Sequence, residues 1–291
     1  MNIKKMGRFS IIVFCLSFTL AACGTNDNND SSASESSNNE ANQENTEENE
    51  NQESANQNAE EDNNDNEESN AEEDKKEPAY EANENWYLNP IDDQDEEVVL
   101  ISIDDAPDEH AVEMAHKLDD LDVPAVFFVN GHFLDDEEGE EDLKEIDELG
   151  FPIGNHTMTH PDLTTISEDE QEEEILGVSE MVEDILGEKP KYFRAPHGKN
   201  TDFSSELIED EGMLNLNWSY GYDWEEEYKD ADKLKDIMTT SPLLDDGAIL
   251  LMHDRDWTNE ALEDIVKDLQ DQGYDMADPE EIKNSNEDED G

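Results

Sequence analysis

Basic side chains are scarce in this chain. Its 291 residues include 17 Lys and Arg against 84 Asp and Glu, which gives a net charge of −67. Nucleic-acid binding needs a basic face that neutralises phosphates, so this composition argues against a nucleic-acid partner, and equally against a general affinity for anionic membrane surfaces. Dense acidic charge keeps a protein dispersed but makes it repel itself, and concentrated salt screens that repulsion. We therefore interpret the charge as an adaptation to a high-salt setting.

Cysteine is also rare, and the two in the chain, Cys15 and Cys23, lie near the N-terminus. Three basic residues precede an apolar run at 11–22 that is too short for an ordinary membrane span and has the pattern of a secretion signal. The sequence LAACG at 20–24 resembles the lipobox of bacterial lipoproteins. The resemblance implies a signal peptide at 1–22, cleavage before Cys23 and lipid attached to its sulfur. The alternative is a plain secretory signal with an incidental cysteine.

Lipid attachment would place the mature protein on the extracellular face of the bacterial cell membrane, anchored to it without spanning it. Cleavage would remove Cys15, and lipid would cap Cys23. The mature protein would then contain no disulfide although it lies outside the cell, so its core must be held together by packing alone.

Large apolar side chains are missing from residues 24–78, which contain no Val, Ile, Leu, Met, Phe, Trp, Tyr or Cys. Such a segment cannot bury a core, so we predict a lipid-anchored, disordered Asn/Glu-rich linker at 23–80. Its simplest role is a tether that holds a folded domain away from the membrane. We predict one catalytic domain at 90–281 and a short acidic tail at 284–291.

The remainder of the chain alternates between short apolar runs and helix-like stretches. Seven apolar runs predict buried strands, at 98–103, 125–130, 151–154, 191–195, 214–218, 248–253 and 274–276. Helical spacing of apolar residues between most of these runs, as at 168–186, indicates amphipathic helices. This alternation predicts an α/β fold with a parallel sheet, open or closed into a barrel, in which the chemistry lies at the C-terminal strand ends.

Polar residues follow these strands one group at a time. They are Asp104 and Asp105 after the first run, His156 and His160 after the third, Arg194 at the end of the fourth, Asp223 after the fifth, and His253 at the end of the sixth. Two imidazoles and one carboxylate, with an open position for water, are typical of a hydrolytic metal site. If one of the two adjacent carboxylates binds the cation, the other is available as a general base.

Three further residues suit acid–base chemistry at the same site. An opposite charge favours the ionised form of a carboxylate, so Arg194 is suited to keep a general base ionised. His253 is suited to protonate a leaving amine, and Asp223 to orient it and raise its pKa.

Five motifs in this order resemble those of the polysaccharide deacetylases, the family with the NodB-homology domain, over residues 95–278. They are SIDDAP at 102–107, HTMTH at 156–160, RAPHG at 194–198, WSYGYDW at 218–224 and LMH at 251–253. The chain departs from the family pattern at Ala106, where glycine is usual, and at His197, where an aromatic residue is common. The fourth motif also lacks its usual earlier aspartate.

The resemblance implies a distorted (β/α)7 barrel and a role for each matching residue. Asp104 would be the general base positioned by Arg194, Asp105, His156 and His160 the ligands of a divalent metal, and His253 the general acid tuned by Asp223. Trp218 and Leu251 would wall the pocket for the acetyl methyl, and the backbone amide of His197 would help to hold the tetrahedral oxyanion. The metal of the family is usually zinc, with cobalt and manganese as alternatives.

These features predict an enzyme that removes N-acetyl groups from an aminosugar polysaccharide at the cell surface. Peptidoglycan N-acetylglucosamine, or a related envelope glycan, is the expected substrate because the lipid anchor would hold the enzyme beside the envelope. An O-acetyl polysaccharide esterase of the acetylxylan type and a non-catalytic carbohydrate-binding lipoprotein are the alternatives. The sequence contains no oligomerisation signal, so we expect a monomer.

Overall fold

The computed structural model describes residues 76–284 of the chain. The predicted signal peptide, the lipid site at Cys23, the linker up to residue 75 and the tail from residue 285 lie outside the described residues, and these assignments stay predictions. No helix within 76–284 combines the length and the apolar composition that crossing a membrane would require.

A small antiparallel pair of strands opens the described part of the chain. Strand β1 (Tyr80–Ala82) pairs with β2 (Leu88–Pro90), and Tyr80 also forms a bridge to Ile282 near the other end of the domain. The amide of Leu88 donates a 2.7 Å hydrogen bond to the carbonyl oxygen of Gly247. These contacts attach the strand pair to the segment before Ala248, where an edge strand of the main sheet begins.

The main sheet of the described region has seven strands, and all of its pairings are parallel. The strands are β3 (Val98–Ala106), β4 (Ala125–Val129), β5 (Ile153–Asn155), β6 (Tyr192–Phe193), β7 (Leu214–Asn215), β8 (Ala248–His253) and β9 (Asp275–Met276). They lie in the order β7-β6-β5-β4-β3-β8, and β9 pairs with the first residues of β3. Each strand overlaps one of the seven apolar runs, and β3 and β5 extend past the ends of theirs, so the predicted parallel α/β fold is confirmed.

The sheet curls into a distorted barrel. After β7 the chain leaves β6 and reaches β8, where the amide of Ser219 donates a 2.9 Å hydrogen bond to the carbonyl oxygen of Ile249. An isolated parallel bridge joins Tyr220 to Leu250. The two strand edges therefore meet through a short irregular segment, which is why the sequence prediction of a strand over 214–218 was too long.

Six α-helices of the described region follow or connect the strands. They are α1 (Ala111–Asp120), α2 (Glu137–Glu148), α3 (Glu168–Leu186), α4 (Asp202–Asp210), α5 (Ala231–Thr240) and α6 (Asp256–Gln272). The predicted helix at 168–186 is confirmed. It begins where the Ser167 side chain and the Glu170 side chain cap each other's backbone amides, and it ends at Gly187 in the left-handed conformation.

Alternation along β3 separates a helix-facing side from the barrel interior. Val99, Ile101 and Ile103 pack in the cluster that includes the helices, whereas Leu100 packs with an interior cluster that contains Phe128. Successive side chains of a strand point to opposite faces, so Ser102 and Asp104 continue the interior face of Leu100. Strand β8 follows the same rule, with Leu251 and His253 on the interior face that begins with Ile249. Period-two alternation thus directs three of the predicted site residues into the barrel.

Candidate active site

The first part of the site is a buried ion pair between Asp104 and Arg194. The Nη1 atom of Arg194 donates to Oδ1 of Asp104 over 2.6 Å, and also to the hydroxyl of Ser102 over 2.9 Å. The remaining guanidinium hydrogen bonds go to the carbonyl oxygens of Leu216 (2.8 Å, from Nε) and Asn217 (3.2 Å, from Nη2). Both charged side chains are buried, so each depends on the other for its compensating charge.

The second part is a group of three ligand atoms. The Oδ1 atom of Asp105 lies 3.9 Å from Nε2 of His156 and 3.8 Å from Nε2 of His160, and all three ligand atoms lie within 4.8 Å of one another. The Nδ1 atom of His156 lies 2.7 Å from the carbonyl oxygen of Arg194. A carbonyl accepts, so Nδ1 carries the proton and the lone pair of Nε2 faces the group.

The electrostatics of these residues suit a cation. Burial lowers the pKa of His156, and burial together with the charge of His156 lowers the pKa of His160 to about 4. Both imidazoles are therefore neutral at neutral pH, as metal ligands must be. Burial acts to raise the pKa of Asp105, but nearby cationic groups led by His253 outweigh it and leave that pKa below its ordinary value. Two neutral imidazoles and an ionised carboxylate are a donor set that fits zinc.

The two histidines do not converge through helical spacing. Residues 156–160 form a loop, in which Thr157 and His160 have φ values of 69° and 58°. The side-chain amide of Asn130 donates to the carbonyl oxygens of His156 (2.6 Å) and Thr157 (3.1 Å), and the amide of Thr157 donates to Oδ1 of Asn155 (2.9 Å). Side-chain amides of neighbouring strand ends thus hold a left-handed turn that brings the ring centroids of His156 and His160 to 4.9 Å.

The third part is a dyad of His253 and Asp223. The Nδ1 atom of His253 lies 2.7 Å from Oδ1 of Asp223, and the amide of His253 donates to Oδ2 over 2.6 Å. The hydroxyl of Thr258 donates to the same Oδ2 over 2.9 Å, so the carboxylate is held from three directions. Burial acts to lower the pKa of His253, but the charge of Asp223 outweighs it and raises that pKa. His253 is therefore suited to carry a proton at neutral pH.

These three parts line one pocket of about 420 Å³. Its lining consists of Asp104, Asp105, His156, His160, His197, Trp218, Asp223, Trp224, Leu251, His253 and Arg255. Arg194 lies beneath the lining and contacts it through Asp104. All ten pocket residues singled out in the sequence are thus brought together, while Cys23 lies outside the described residues. The roles assigned to these residues remain predictions.

Trp218, Leu251 and His197 line the same pocket. Leu251 is buried on the interior face of β8. The Cζ atom of Arg194 lies over the Trp218 ring, 5.7 Å from its centroid. His197 has a φ of 59°, and its ring centroid lies 5.0 Å from that of His160. An apolar wall beside a ligand group is suited to hold a small acyl group, as predicted for this pocket.

Sequence reasoning missed several residues that shape the site. Arg255 lines the pocket, Trp224 stands at its edge with about half of its surface exposed, and Thr258 holds Asp223. Asp254 is buried, and its carboxylate accepts three backbone amides at the start of α1. Arg255 had a usable signal, because arginine is rare in this chain and this one lies two residues after the LMH motif.

Comparison with known proteins agrees with this geometry. Residues 91–216 match the family model described as polysaccharide deacetylase. Over 158 residues the chain is 34% identical to the peptidoglycan-N-acetylmuramic acid deacetylase PdaA of Bacillus subtilis, a match that covers 52% of this chain and 58% of that protein. Over 157 residues it is 29% identical to the peptidoglycan-N-acetylglucosamine deacetylase of Bacillus cereus, covering 53% and 55%. The match therefore spans little more than half the length of these relatives.

Solved structures show the same fold. The peptidoglycan deacetylase PdaC from Bacillus subtilis aligns with a TM-score of 0.56 and 26% identity, over 64% of this chain and 89% of that chain. A pseudoenzyme of carbohydrate esterase family 4 from Bacillus anthracis aligns with a TM-score of 0.58 and 27% identity, over 65% and 67%. The family model therefore matches residues 91–216 to the polysaccharide deacetylases, and the solved structures show that the described residues share the fold of carbohydrate esterase family 4.

Proposed function

We propose that this protein is a metal-dependent hydrolase that removes N-acetyl groups from an aminosugar polysaccharide, with peptidoglycan N-acetylglucosamine or a related envelope glycan as its substrate. One observation carries the proposal. The buried Asp104–Arg194 pair and the His253–Asp223 dyad lie in the same pocket as the three ligand atoms of Asp105, His156 and His160. A base, a cation site and an acid are what the hydrolysis of an amide requires.

The cation is best accounted for as zinc, with cobalt and manganese as alternatives. Its ligands would be Asp105, His156 and His160, whose donor set leaves room for a further ligand. A divalent cation at this position would polarise the acetyl carbonyl and stabilise the negative charge that develops on its oxygen.

Asp104 would remove the proton from the attacking water. Its Oδ1 is bound by Arg194, and its Oδ2 lies 3.5 Å from Nε2 of His156, so the carboxylate is fixed at the edge of the ligand group. The arginine supplies the compensating charge that a buried carboxylate needs.

His253 would give a proton to the departing amine, since an amine anion is too basic to leave unprotonated. Asp223 holds the ring through Nδ1, which directs Nε2 toward the pocket. Trp218 and Leu251 would enclose the acetyl methyl, and the amide of His197 would donate to the oxyanion.

The cell-envelope assignment rests on the N-terminal sequence and on the names of the relatives. Lipid on Cys23 and an acidic tether would hold a monomeric enzyme at the extracellular face of the membrane, with the polysaccharide as its partner and no nucleic acid. Two of the relatives are named for peptidoglycan N-acetylated sugars, which supports an envelope glycan as substrate.

The test is acetate release by the full chain, purified in detergent at high salt, from N-acetylglucosamine oligomers and from whole peptidoglycan. Each reaction is run with and without chelator and added zinc, beside the Asp104→Asn variant. We expect release that requires both the metal and Asp104. Release from O-acetylated xylan alone would replace the proposal with the esterase alternative. Binding of glycan with no release from any substrate would replace it with the non-catalytic alternative.

A further inference from the structure

A second arginine lies at the pocket, bound to the carboxylate next to Asp104. The Nη2 atom of Arg255 donates to Oδ2 of Asp105 over 2.6 Å. The other oxygen, Oδ1, is the atom that faces Nε2 of His156 and His160. The two oxygens of Asp105 are therefore divided between an arginine on one side and the proposed metal ligands on the other.

Arg255 is itself held in place. Its Nη1 atom donates to the carbonyl oxygen of Asp254 over 2.6 Å and lies 3.7 Å from Oδ2 of Asp108. The carboxylate of Asp254 in turn accepts the amides of Asp108, His110 and Ala111, over 2.8, 2.7 and 2.9 Å. The guanidinium thus spans the loop after β3 and the loop after β8, and a rigid fork is well suited to hold both.

Asp105 has two reasons to need such a partner. It lies beside Asp104, so two carboxylates share one strand end and repel each other unless each has a cationic partner. Asp105 also has a φ of 59°, a conformation that its neighbours must maintain. Arg194 neutralises Asp104 from inside the barrel, and Arg255 pairs with Asp105 from the outside. Each of the two adjacent carboxylates therefore has its own arginine.

We propose that Arg255 is a positioning residue for the ligand Asp105, which it holds by Oδ2 so that Oδ1 is presented to the metal. The inference rests on the metal site of the proposed function and extends it to a residue outside the five motifs. Residues that orient a ligand from behind change metal affinity by about 10–100-fold when they are removed. Arg255 would act on affinity for the ion through Asp105, without touching the ion.

The side chain of Arg255 is 35% exposed and lines the pocket, so a second role must be distinguished from the first. A guanidinium at this place also suits an anionic group of the substrate, such as the carboxylate of a muramic acid. The positioning role is favoured because Oδ2 of Asp105 binds Arg255 while Oδ1 faces the two histidines. A substrate role would leave metal affinity unchanged and would weaken only the binding of anionic glycans.

The experiment measures zinc affinity by competition with a chromophoric chelator, using the full chain in detergent. The variants are Arg255→Ala and Arg255→Lys, with Lys267→Ala as the control. Lys267 pairs with Glu263 on the solvent-facing side of α6 and does not line the pocket. Its replacement therefore removes one positive charge at a place away from the site. We expect zinc affinity to fall about 10–100-fold in Arg255→Ala, to fall less in Arg255→Lys, and to stay unchanged in Lys267→Ala.

The melting temperature of each metal-free variant is measured in parallel. We expect Arg255→Ala to melt close to the wild type without zinc and below it with zinc. Unchanged zinc affinity in Arg255→Ala overturns the inference, whether or not KM for muramic-acid glycans rises, and leaves the proposed function standing. Failure of the wild-type chain to bind zinc overturns both. Zinc binding that depends on Arg255 without acetate release overturns the proposed function alone.

Discussion

Arg194 and Asp104 form a buried ion pair in which Nη1 of the arginine donates to Oδ1 of the carboxylate over 2.6 Å. The arginine comes from the end of β6 and the aspartate from the end of β3, so the pair spans the barrel interior. Phe128 covers the guanidinium at 4.1 Å from its ring centroid. The pair therefore connects the proposed general base to the core, and changes on its two sides should have different effects.

Asp104→Asn should abolish catalysis while the metal still binds. The amide has the shape of the carboxylate but cannot accept a proton from water, and general-base catalysis contributes about 10²–10⁴-fold to rate. We expect acetate release to fall by that factor, with the zinc content of the purified protein unchanged. Loss of zinc together with activity would instead make Asp104 a ligand.

Arg194→Ala should destabilise the protein. The change leaves the Asp104 carboxylate buried without its partner, and breaking a buried pair from one side costs about 3–5 kcal/mol. Urea unfolding followed by far-UV circular dichroism measures the loss. Arg255→Ala is the matched control, because Arg255 is partly exposed and should cost much less. Equal losses of unfolding free energy in the two variants would contradict the argument that burial makes the Asp104–Arg194 pair costly to break.

Asp223→Asn should move the alkaline limb of the pH–rate profile to lower pH. The Asp223 carboxylate raises the pKa of His253, so its loss lowers that pKa and His253 gives up its proton earlier as pH rises. Thr258→Val removes one hydrogen bond to Asp223 and keeps the charge, so its alkaline limb should move less. Profiles of kcat against pH for the wild type and both variants make the comparison. If the alkaline limb of the Asp223→Asn profile does not move, His253 is not the general acid.

Removal of the metal should abolish acetate release without unfolding the domain. The strands are held by a large apolar core that does not include the ligand group. We expect chelator treatment to leave the far-UV circular dichroism spectrum unchanged, and added zinc to restore activity. His160→Gln should show the same loss without restoration by stoichiometric zinc. A collapse of the spectrum on chelation would make the ion a structural component.

Activity and stability should rise as salt increases from low to molar concentration. Self-repulsion among 84 acidic residues is screened within about 3 Å at 1 M salt, compared with about 10 Å at 0.1 M. Acetate release and the melting temperature are measured across potassium chloride concentrations, with sucrose as an uncharged control. A flat or falling salt profile would contradict the high-salt interpretation and leave the site proposals untouched.

The strands and their site residues were predictable because a parallel strand buried on both faces is a continuous apolar run. The runs at 98–103 and 248–253 correspond to β3 and β8, and the polar residues at their ends lie at one edge of the sheet. The rule that chemistry lies at C-terminal strand ends then predicts from the sequence alone that Asp104 and His253 lie together.

Other features were not predictable, for physical reasons. The turn that brings His156 and His160 together depends on left-handed residues and on Asn130 from a distant strand end, which no local spacing reveals. Strands β1 and β2 are only three residues long, and the bridge from Tyr80 to Ile282 joins residues that are far apart in the sequence. Arg255 belongs to no motif, and although its rarity marks it in the sequence, its pairing with Asp105 is seen only in the structure.

Strand β3 is the first strand of the main sheet in chain order, yet its long partner β8 is the sixth strand of that sheet. During synthesis the chain therefore contributes both carboxylates first, then the imidazoles, and His253 only when β8 emerges and pairs with β3. A chain that stopped before β8 could still bring Asp105 near His156 but would lack His253, the proposed proton donor. The order of synthesis thus delays assembly of the complete set of pocket residues until the sheet is nearly finished.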